Sequence, residues 1–410
     1  MKGAFRKKIY AACGYNTLFM GSGRPEFDPK NLRTFDAYLK EVAEGVFSQK
    51  EGVVPNEGVI SSFIPERFIN QGHLAAFLPM IQPLLTNKPC VAVEGACCSG
   101  GRAIGVGIRS LLSGLSEVTF VVGFEIQNSV KAVYGADYLA AAGYYQKERK
   151  DFYAHFFPGI FDQRAAAYQK DVGEEKMRLA FAHWYANAIE NARKNPKAQE
   201  YHNQRENLLD LSLRKPNPDQ FLPTLTPLDC SKVSDGASGI LLLTEEGLER
   251  SGISREEAIE IVSIGEAEGS IDEPPADRAY FDHMEAAVEQ CFGRISASRG
   301  EVAFVDLHDC FTISGLLALE AAGFVKKGGA ADFVIEGQTQ MDGSLPVNPS
   351  GGLVGFGHPT GATGVRMLVD LHQQLTGKAE NPVQSSKELA LMINMGGNDK
   401  TLTALLAKRG

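Results

Sequence analysis

The chain has 410 residues, of which 44% are hydrophobic and 22% charged, and its net charge is −9. This composition is typical of a globular protein with room for two or three domains or one duplicated unit. It lacks the global basic excess that favours nucleic acid or an anionic membrane surface, and no apolar run approaches the roughly 18 residues of a membrane span.

Strand and helix patterns alternate through the first part of the chain. Apolar runs rich in β-branched residues predict strands, and apolar residues three or four positions apart predict helices. The predicted strands are 9–14, 59–64, 91–93 and 118–125, with helices at 31–47 and 73–85. This order is typical of a parallel sheet covered by helices.

The stretch 91–104 changes from a strand to a helix at a group of small residues. Cys97 lies at this change, where a helix start presents unpaired N–H groups. The helix dipole favours a thiolate, so we expect the pKa of Cys97 to fall from about 8.5 towards neutrality. Cys97 is therefore a candidate nucleophile, the alternative being a buried structural cysteine.

Residues 128–221 differ in character, because aromatic and charged residues crowd together and a helical pattern runs over 174–192. We interpret this segment as an inserted α-rich lobe. Three roles for this lobe remain open: lining a substrate channel, forming a subunit contact, or a structural role only.

The alternating pattern returns in the second part of the chain. The predicted strands are 239–244, 258–265, 302–307, 388–397 and 401–406, with helices at 283–292, after residue 311 and after His358. His358 lies among the six glycines of 348–366. A nucleophilic cysteine needs a base, and a histidine distant in sequence but near in the fold commonly supplies it.

The two parts of the chain repeat one arrangement, which indicates an internal duplication. Each has a glycine-rich turn entering a helix and then an apolar strand ending in glycine. Two such units back to back bring their strand ends together. We therefore expect Cys97, His308, Cys310 and His358 to meet in one crevice.

Seven cysteines are spread sparsely along the chain. An odd, sparse set does not form a disulfide framework, and none has metal-site spacing with histidines alongside. We therefore expect free thiols, no bound metal or cofactor, and a reducing compartment, the cytoplasm.

Two motifs resemble those of the thiolases. They are Cys97-x-Ser99-Gly100-x-Arg102-Ala103 and Gly357-His358-Pro359-x-Gly361-Ala362-x-Gly364-x-Arg366. The resemblance covers nearly the whole chain and implies an α/β fold of duplicated units in a layered αβαβα arrangement. It implies an N-terminal half at 1–262, with a loop domain inserted at about 128–221, and a C-terminal half at 263–410.

Two departures from the usual thiolase pattern narrow the resemblance. Most thiolases have Asn-Glu-Ala-Phe where this chain has His308-Asp309-Cys310-Phe311, and Cys-x-Gly where it has Asn394-Met395-Gly396. Together these departures resemble the sterol-carrier-protein-2 type of thiolase. In that type the cysteine of the first segment replaces the missing one.

The resemblance implies an acyl-CoA acyltransferase, which converts a 3-oxoacyl-CoA and CoA to acyl-CoA and acetyl-CoA, or runs the reverse condensation. Cys97 is then the nucleophile, His358 its base, and His308 the enolate oxyanion hole. Cys310, a thiol expected to titrate near about pH 8.5, is the second acid/base. The backbone N–H groups of Cys97 and Gly396 form the second oxyanion hole. CoA thioesters are substrates rather than bound cofactors.

The resemblance also implies a homodimer or homotetramer, with strand 118–124 as the candidate sheet edge, and a possible small OB-fold partner. Two other readings remain open. One is a ketoacyl synthase-like condensing enzyme, and the other is a non-catalytic thiolase-like subunit that binds acyl-CoA or scaffolds a complex. At the residue level, His308 is alternatively a capping or orienting histidine, and Cys310 is alternatively a buried cysteine. We expect Asn394→Ala to do much less than Cys310→Ala.

Overall fold

The computed structural model describes residues 3–152 and 155–410. Its strands are β1 Ile9–Asn16, β2 Glu57–Ser61, β3 Cys90–Val93, β4 Val118–Ile126, β5 Asp235–Thr244, β6 Ala258–Glu268, β7 Val302–Leu307, β8 Leu389–Gly396 and β9 Thr401–Arg409. Each predicted strand is confirmed, because the apolar runs that predict them are long and bounded by turn residues.

These strands form one sheet in the order β3-β2-β4-β5-β1-β6-β9-β8-β7. The pairs β2–β3, β2–β4 and β7–β8 are parallel, and the other pairs are antiparallel. The prediction of a parallel sheet is therefore wrong for the centre of the sheet. After the long insertion that follows β4, the chain re-enters the sheet as β5, which runs antiparallel to β4. A short turn joins β8 directly to β9, so these two strands are also antiparallel.

The helices fall into a set that covers the sheet and a set in the insertion. They are α1 Phe35–Phe47, α2 Pro65–Phe68, α3 Phe77–Ile81, α4 Ser99–Ser113, α5 Ala132–Leu139, α6 Tyr145–Glu148, α7 Phe156–Val172, α8 Glu174–Ala192, α9 Leu208–Ser212, α10 Glu245–Arg250, α11 Asp282–Gly293, α12 Thr312–Ala321, α13 Ala330–Ile335, α14 Gly352–Gly355 and α15 Thr360–Leu375. Residues 128–221 contain α5 to α9, as the α-rich composition of the insertion predicts.

Three apolar cores show the layering. Successive residues of a strand point to opposite faces of the sheet. In β4, Val121 packs into a central core with α4 and α15, whereas Phe120 and Val122 pack against α1 on the other face. In β8, Met392 joins the same central core, whereas Leu391 packs with α11 and α12. The sheet therefore lies on both sides of α4 and α15, which gives the expected αβαβα order.

Two predicted features differ from the structure. The predicted helix 73–85 is broken at Gln82, which is extended because Pro83 follows it. The strand predicted as a sheet edge, β4, pairs on both sides and is wholly buried. The described sheet has edges at β3 and β7, and the edge that belongs to the first half of the chain is β3, whose Val91 is 37% exposed. A long apolar strand is instead typical of the sheet interior.

Among the described residues, no helix combines the length and the apolar character needed to cross a membrane.

Candidate active site

Cys97 lies in a tight turn between β3 and α4. A 3₁₀ turn, Ala96–Cys98, follows the strand, and α4 begins at the next residue. Ala96 has a left-handed φ of 52°, which is costly for a residue other than glycine. The Ser99 hydroxyl accepts from the Gly95 N–H at 3.0 Å and donates to the Ala96 carbonyl at 2.6 Å. The predicted strand-to-helix position of Cys97 is confirmed.

His358 lies in the glycine-rich loop directly before α15. Its ring Nδ1 is 2.7 Å from the Thr363 hydroxyl oxygen, and this hydroxyl donates to the Pro359 carbonyl at 2.9 Å. A hydroxyl has one hydrogen, so Thr363 accepts the bond and His358 carries its hydrogen on Nδ1. His358 Nε2 is buried and has no hydrogen-bond partner among the described residues. This nitrogen therefore has a free lone pair.

His308 follows directly on β7, at the end of the strand where the His358 loop also lies. The Cys97 sulfur and one ring nitrogen of each histidine lie within 4.8 Å of one another. The two imidazole rings are nearly perpendicular, at 85°, with centroids 5.0 Å apart. The structure thus brings together three of the four predicted catalytic side chains, one from each of three separate loops.

Cys310 completes the set on the His308 segment. Its sulfur is 3.4 Å from the Ser314 hydroxyl, and its proximity helps to raise the pKa of Cys97. Asp309 lies between His308 and Cys310 in the sequence, and its carboxylate turns away from the site. This carboxylate accepts from the Trp184 indole N–H at 3.0 Å and from the Leu353 N–H at 2.6 Å. Asp309 therefore holds the segment in place from behind.

Burial sets the ionisation of these groups. Burial raises the pKa of Cys97 well above its ordinary value, with Cys310 and Glu125 adding to the rise, and raises that of Cys310 to about 12. Burial, with Arg366, lowers the pKa of His358 to about 3. The expected lowering of the Cys97 pKa and the ordinary pKa expected for Cys310 are both wrong, because the loss of water outweighs the helix dipole.

The end of β8 contacts the turn that carries Cys97. A side chain at Gly396 would overlap the Gly95 carbonyl oxygen, so only glycine lets the strand approach this closely. The Gly397 N–H donates a hydrogen bond to the Cys97 sulfur, which lowers the pKa of the thiol against the effect of burial. The oxyanion role of the Gly396 N–H stays a prediction.

Three polar residues around the site have contacts that the sequence analysis does not predict. Thr363 fixes His358, as described above. The Glu125 carboxylate, in β4, accepts from Thr360 and Gly361 at the start of α15, and also from Ser62 and the Phe63 N–H. Asn394 is buried between Cys97 and His308. A charged residue inside an apolar strand is the sequence signal that could have identified Glu125, because a buried carboxylate needs hydrogen-bond donors such as those at the start of α15.

Comparison with known proteins gives one family model and a consistent set of relatives. The model described as thiolase C-terminal domain-like matches residues 273–408. An acetyl-CoA acetyltransferase of Methanothermobacter thermautotrophicus is 30% identical over 349 residues, which cover 83% of this chain and 85% of that protein. Sterol carrier protein 2 of Oryctolagus cuniculus is 27% identical over 76% of this chain and 57% of its own length.

The fold is similar to that of a solved structure, the Ltp2-ChsH2(DUF35) aldolase. The TM-score is 0.77 over 99% of each chain, at 17% sequence identity. At this identity the likeness concerns the fold alone.

Proposed function

The chain belongs to the thiolase superfamily and is a thiolase-type acyltransferase, and we propose that it transfers the acyl group through a thioester on Cys97. The observation that carries the proposal is the approach of the Cys97 sulfur to His308 and His358, with a free lone pair on His358 Nε2. The substrates are a 3-oxoacyl-CoA and CoA, and the products are acyl-CoA and acetyl-CoA. The reverse direction is a Claisen condensation.

In the first half-reaction the Cys97 sulfur attacks the 3-oxo carbon. Since thiol and imidazole are both neutral at rest, the proton passes to His358 Nε2 as the sulfur–carbon bond forms. The N–H groups of Cys97 and Gly396 stabilise the resulting oxyanion. The bond between C2 and C3 then breaks, and its electron pair forms the acetyl-CoA enolate, whose oxygen accepts a hydrogen bond from His308.

Cys310 moves the second proton. Its raised pKa keeps it protonated at neutral pH, which is the form needed to protonate the enolate carbon. The Cys310 thiolate then accepts the proton of the incoming CoA thiol. The CoA sulfur attacks the Cys97 thioester, and the departing Cys97 sulfur regains its proton from His358, which restores the resting site.

The test is an assay of thiolysis of acetoacetyl-CoA and longer 3-oxoacyl-CoA substrates, with intact-mass detection of the acyl-enzyme. We expect Cys97→Ala to abolish both thiolysis and the acyl adduct. We expect Cys310→Ala to lower kcat by about 10²–10⁴, the usual loss for a general acid/base. A covalent acyl adduct that survives in Cys97→Ala would refute the proposal.

Cys291 offers a matched control for Cys310→Ala, because it is also a buried cysteine but lies on α11, away from the site. Cys291→Ala is expected to keep kcat even if it lowers stability. Wild-type turnover by Cys310→Ala would instead assign the second proton to His308 or to a water molecule.

The proposal extends to the surroundings of the enzyme. All seven cysteines are free thiols, which supports a reducing compartment, the cytoplasm. The Ltp2-ChsH2(DUF35) aldolase, whose name joins two components, supports a small partner protein. The exposed edge strand β3 supports a dimer formed by two copies of the chain.

A further inference from the structure

Asn394, near the end of β8, is wholly buried at the centre of the site. Its Oδ1 accepts from the Gly101 N–H at 3.1 Å, and its Nδ2 donates to the Cys97 carbonyl oxygen at 3.1 Å. The reverse orientation of the amide would place NH₂ against N–H and oxygen against carbonyl. The two backbone groups therefore fix which end of the amide is oxygen and which is nitrogen.

The second hydrogen of Asn394 Nδ2 points at His308, whose Nδ1 lies 3.0 Å away. An amide NH₂ has no acceptor capacity, so His308 Nδ1 must supply the lone pair for this bond. Burial, with His358 and Arg366 adding to it, lowers the pKa of His308 well below its ordinary value, so the ring is neutral and has one hydrogen to place. With Nδ1 as acceptor, that hydrogen lies on Nε2.

The packing around the amide is close on two sides. Side chains at Gly101 or Gly364 would approach or overlap Asn394 Oδ1. The glycines of the two helices that follow Cys97 and His358 thus leave a space of the size of this amide. The Asn394 amide is therefore packed where α4 and α15 cross, against Gly101 of one helix and Gly364 of the other.

We propose that Asn394 is a positioning residue that holds His308 in the tautomer with its hydrogen on Nε2. His308 is then a hydrogen-bond donor and cannot act as a base, whereas Thr363 gives His358 the opposite tautomer, with the lone pair on Nε2. This inference rests on the proposed function, in which His308 donates a hydrogen bond to the enolate and His358 is the base. The two different roles follow from the Asn394 amide and the Thr363 hydroxyl, neither of which touches the reacting atoms.

The first measurement is the tautomer itself, in the resting wild-type protein. Nitrogen-15 spectra of protein labelled at its eight histidines distinguish a protonated from an unprotonated ring nitrogen. His308→Gln assigns the signals of His308 by their loss. We expect Nδ1 unprotonated and Nε2 protonated, and a hydrogen on Nδ1 would overturn the proposal. This result does not depend on turnover, so it stands apart from a failure of Cys97 to form a thioester.

The second measurement uses Asn394→Asp, which keeps the shape and the acceptor for Gly101 but replaces the donor by a carboxylate. We expect the hydrogen to appear on His308 Nδ1. The sequence alone predicts that Asn394→Ala does much less than Cys310→Ala, but the contacts of the amide lead to a different expectation. We expect kcat to fall by about 10²–10³, the loss for one oxyanion donor, or up to about 10⁴ for a wrong tautomer. A merely structural role would lower stability without moving the hydrogen.

Asn56→Ala is the control, since this amide accepts from the Glu117 and Val118 N–H groups at the opposite end of β4. It should leave both the His308 tautomer and kcat unchanged. If Asn394→Asp does not fold, Asn394→Ala removes the donor without adding charge and should give a mixture of tautomers. Retention of a single Nε2–H tautomer in either folded Asn394 variant would overturn the role of Asn394.

Discussion

The Cys97 thiol and the His358 imidazole are both neutral in the resting site, since burial raises the pKa of the one and lowers that of the other to about 3. At the scale of single residues the sequence predicts that these two groups are the nucleophile and its base, because residue type and motif indicate such roles. It does not identify their pKa directions or the role of Asn394. Burial and the orientation of the Asn394 amide depend on residues far away in the sequence. The amide contacts His308, 86 positions before it, and Cys97, 297 positions before it.

A pH prediction follows from the neutral thiol. With a pKa well above its ordinary value, the thiolate of Cys97 is scarce at neutral pH, and the thiolate is the reactive form. The rate of Cys97 alkylation by iodoacetamide, without substrate, should rise about tenfold per pH unit and continue rising past about pH 9. Site-resolved mass spectrometry measures the rate. A plateau near pH 7 would indicate a preformed thiolate–imidazolium pair.

The helices α4 and α15 cross at the scale of elements, and the crossing brings the two glycine-rich motifs into contact. A side chain at Gly100 would lie 2.7 Å from the Val365 N–H nitrogen, and one at Gly364 would overlap Gly101. Each element was predictable from periodicity and length. The crossing was not, because small residues in two helices whose first residues, Ser99 and Thr360, are 261 positions apart show only that close packing is allowed, not which helices meet.

Gly364→Ala tests the crossing. The added methyl group forces the two helices apart, and overpacking of this kind costs typically about 1–3 kcal/mol. We expect a lower free energy of unfolding in denaturant titration and a lower kcat, since Cys97 and His358 separate. Gly293 at the end of α11 has no atom within 4 Å of such a methyl group. Gly293→Ala should therefore raise stability by about 0.5–1 kcal/mol. Equal effects of the two changes would contradict the crossing.

The position of β3 matters at the scale of the whole molecule. It pairs only with β2 among the described strands, and its two middle residues, Val91 and Ala92, are exposed. An unpaired edge of this kind is usually covered, and a second copy of the chain can extend the sheet across it. The prediction from sequence placed the edge at β4, because apolar length was taken as the signal. The true edge is short, and only the strand order reveals it.

Light scattering tests the dimer. We expect a mass at least twice 44.4 kDa for the wild-type protein. Val91→Lys places a charge on the β3 edge and should shift the mass towards that of the single chain. Leu115, which follows the C-cap of α4 and is 85% exposed, provides the matched control, and Leu115→Lys should leave the mass unchanged. A monomeric wild-type protein at micromolar concentration would contradict this prediction.

The contact of Trp184 with Asp309 has a consequence for spectroscopy. The chain contains a single tryptophan, on α8 of the inserted lobe, and it is 4% exposed. Its indole N–H bonds to the carboxylate beside His308, and its ring packs so closely on α12 that a side chain at Gly315 would overlap it. Because the 12 tyrosines absorb at shorter wavelength, excitation at the red edge of the tryptophan band gives emission from this one buried indole, which lies at the junction of the lobe and the His308–Cys310 segment. Separation of the lobe from that segment would expose the indole to water and shift the emission to longer wavelength, so the molecule carries its own optical probe of that docking.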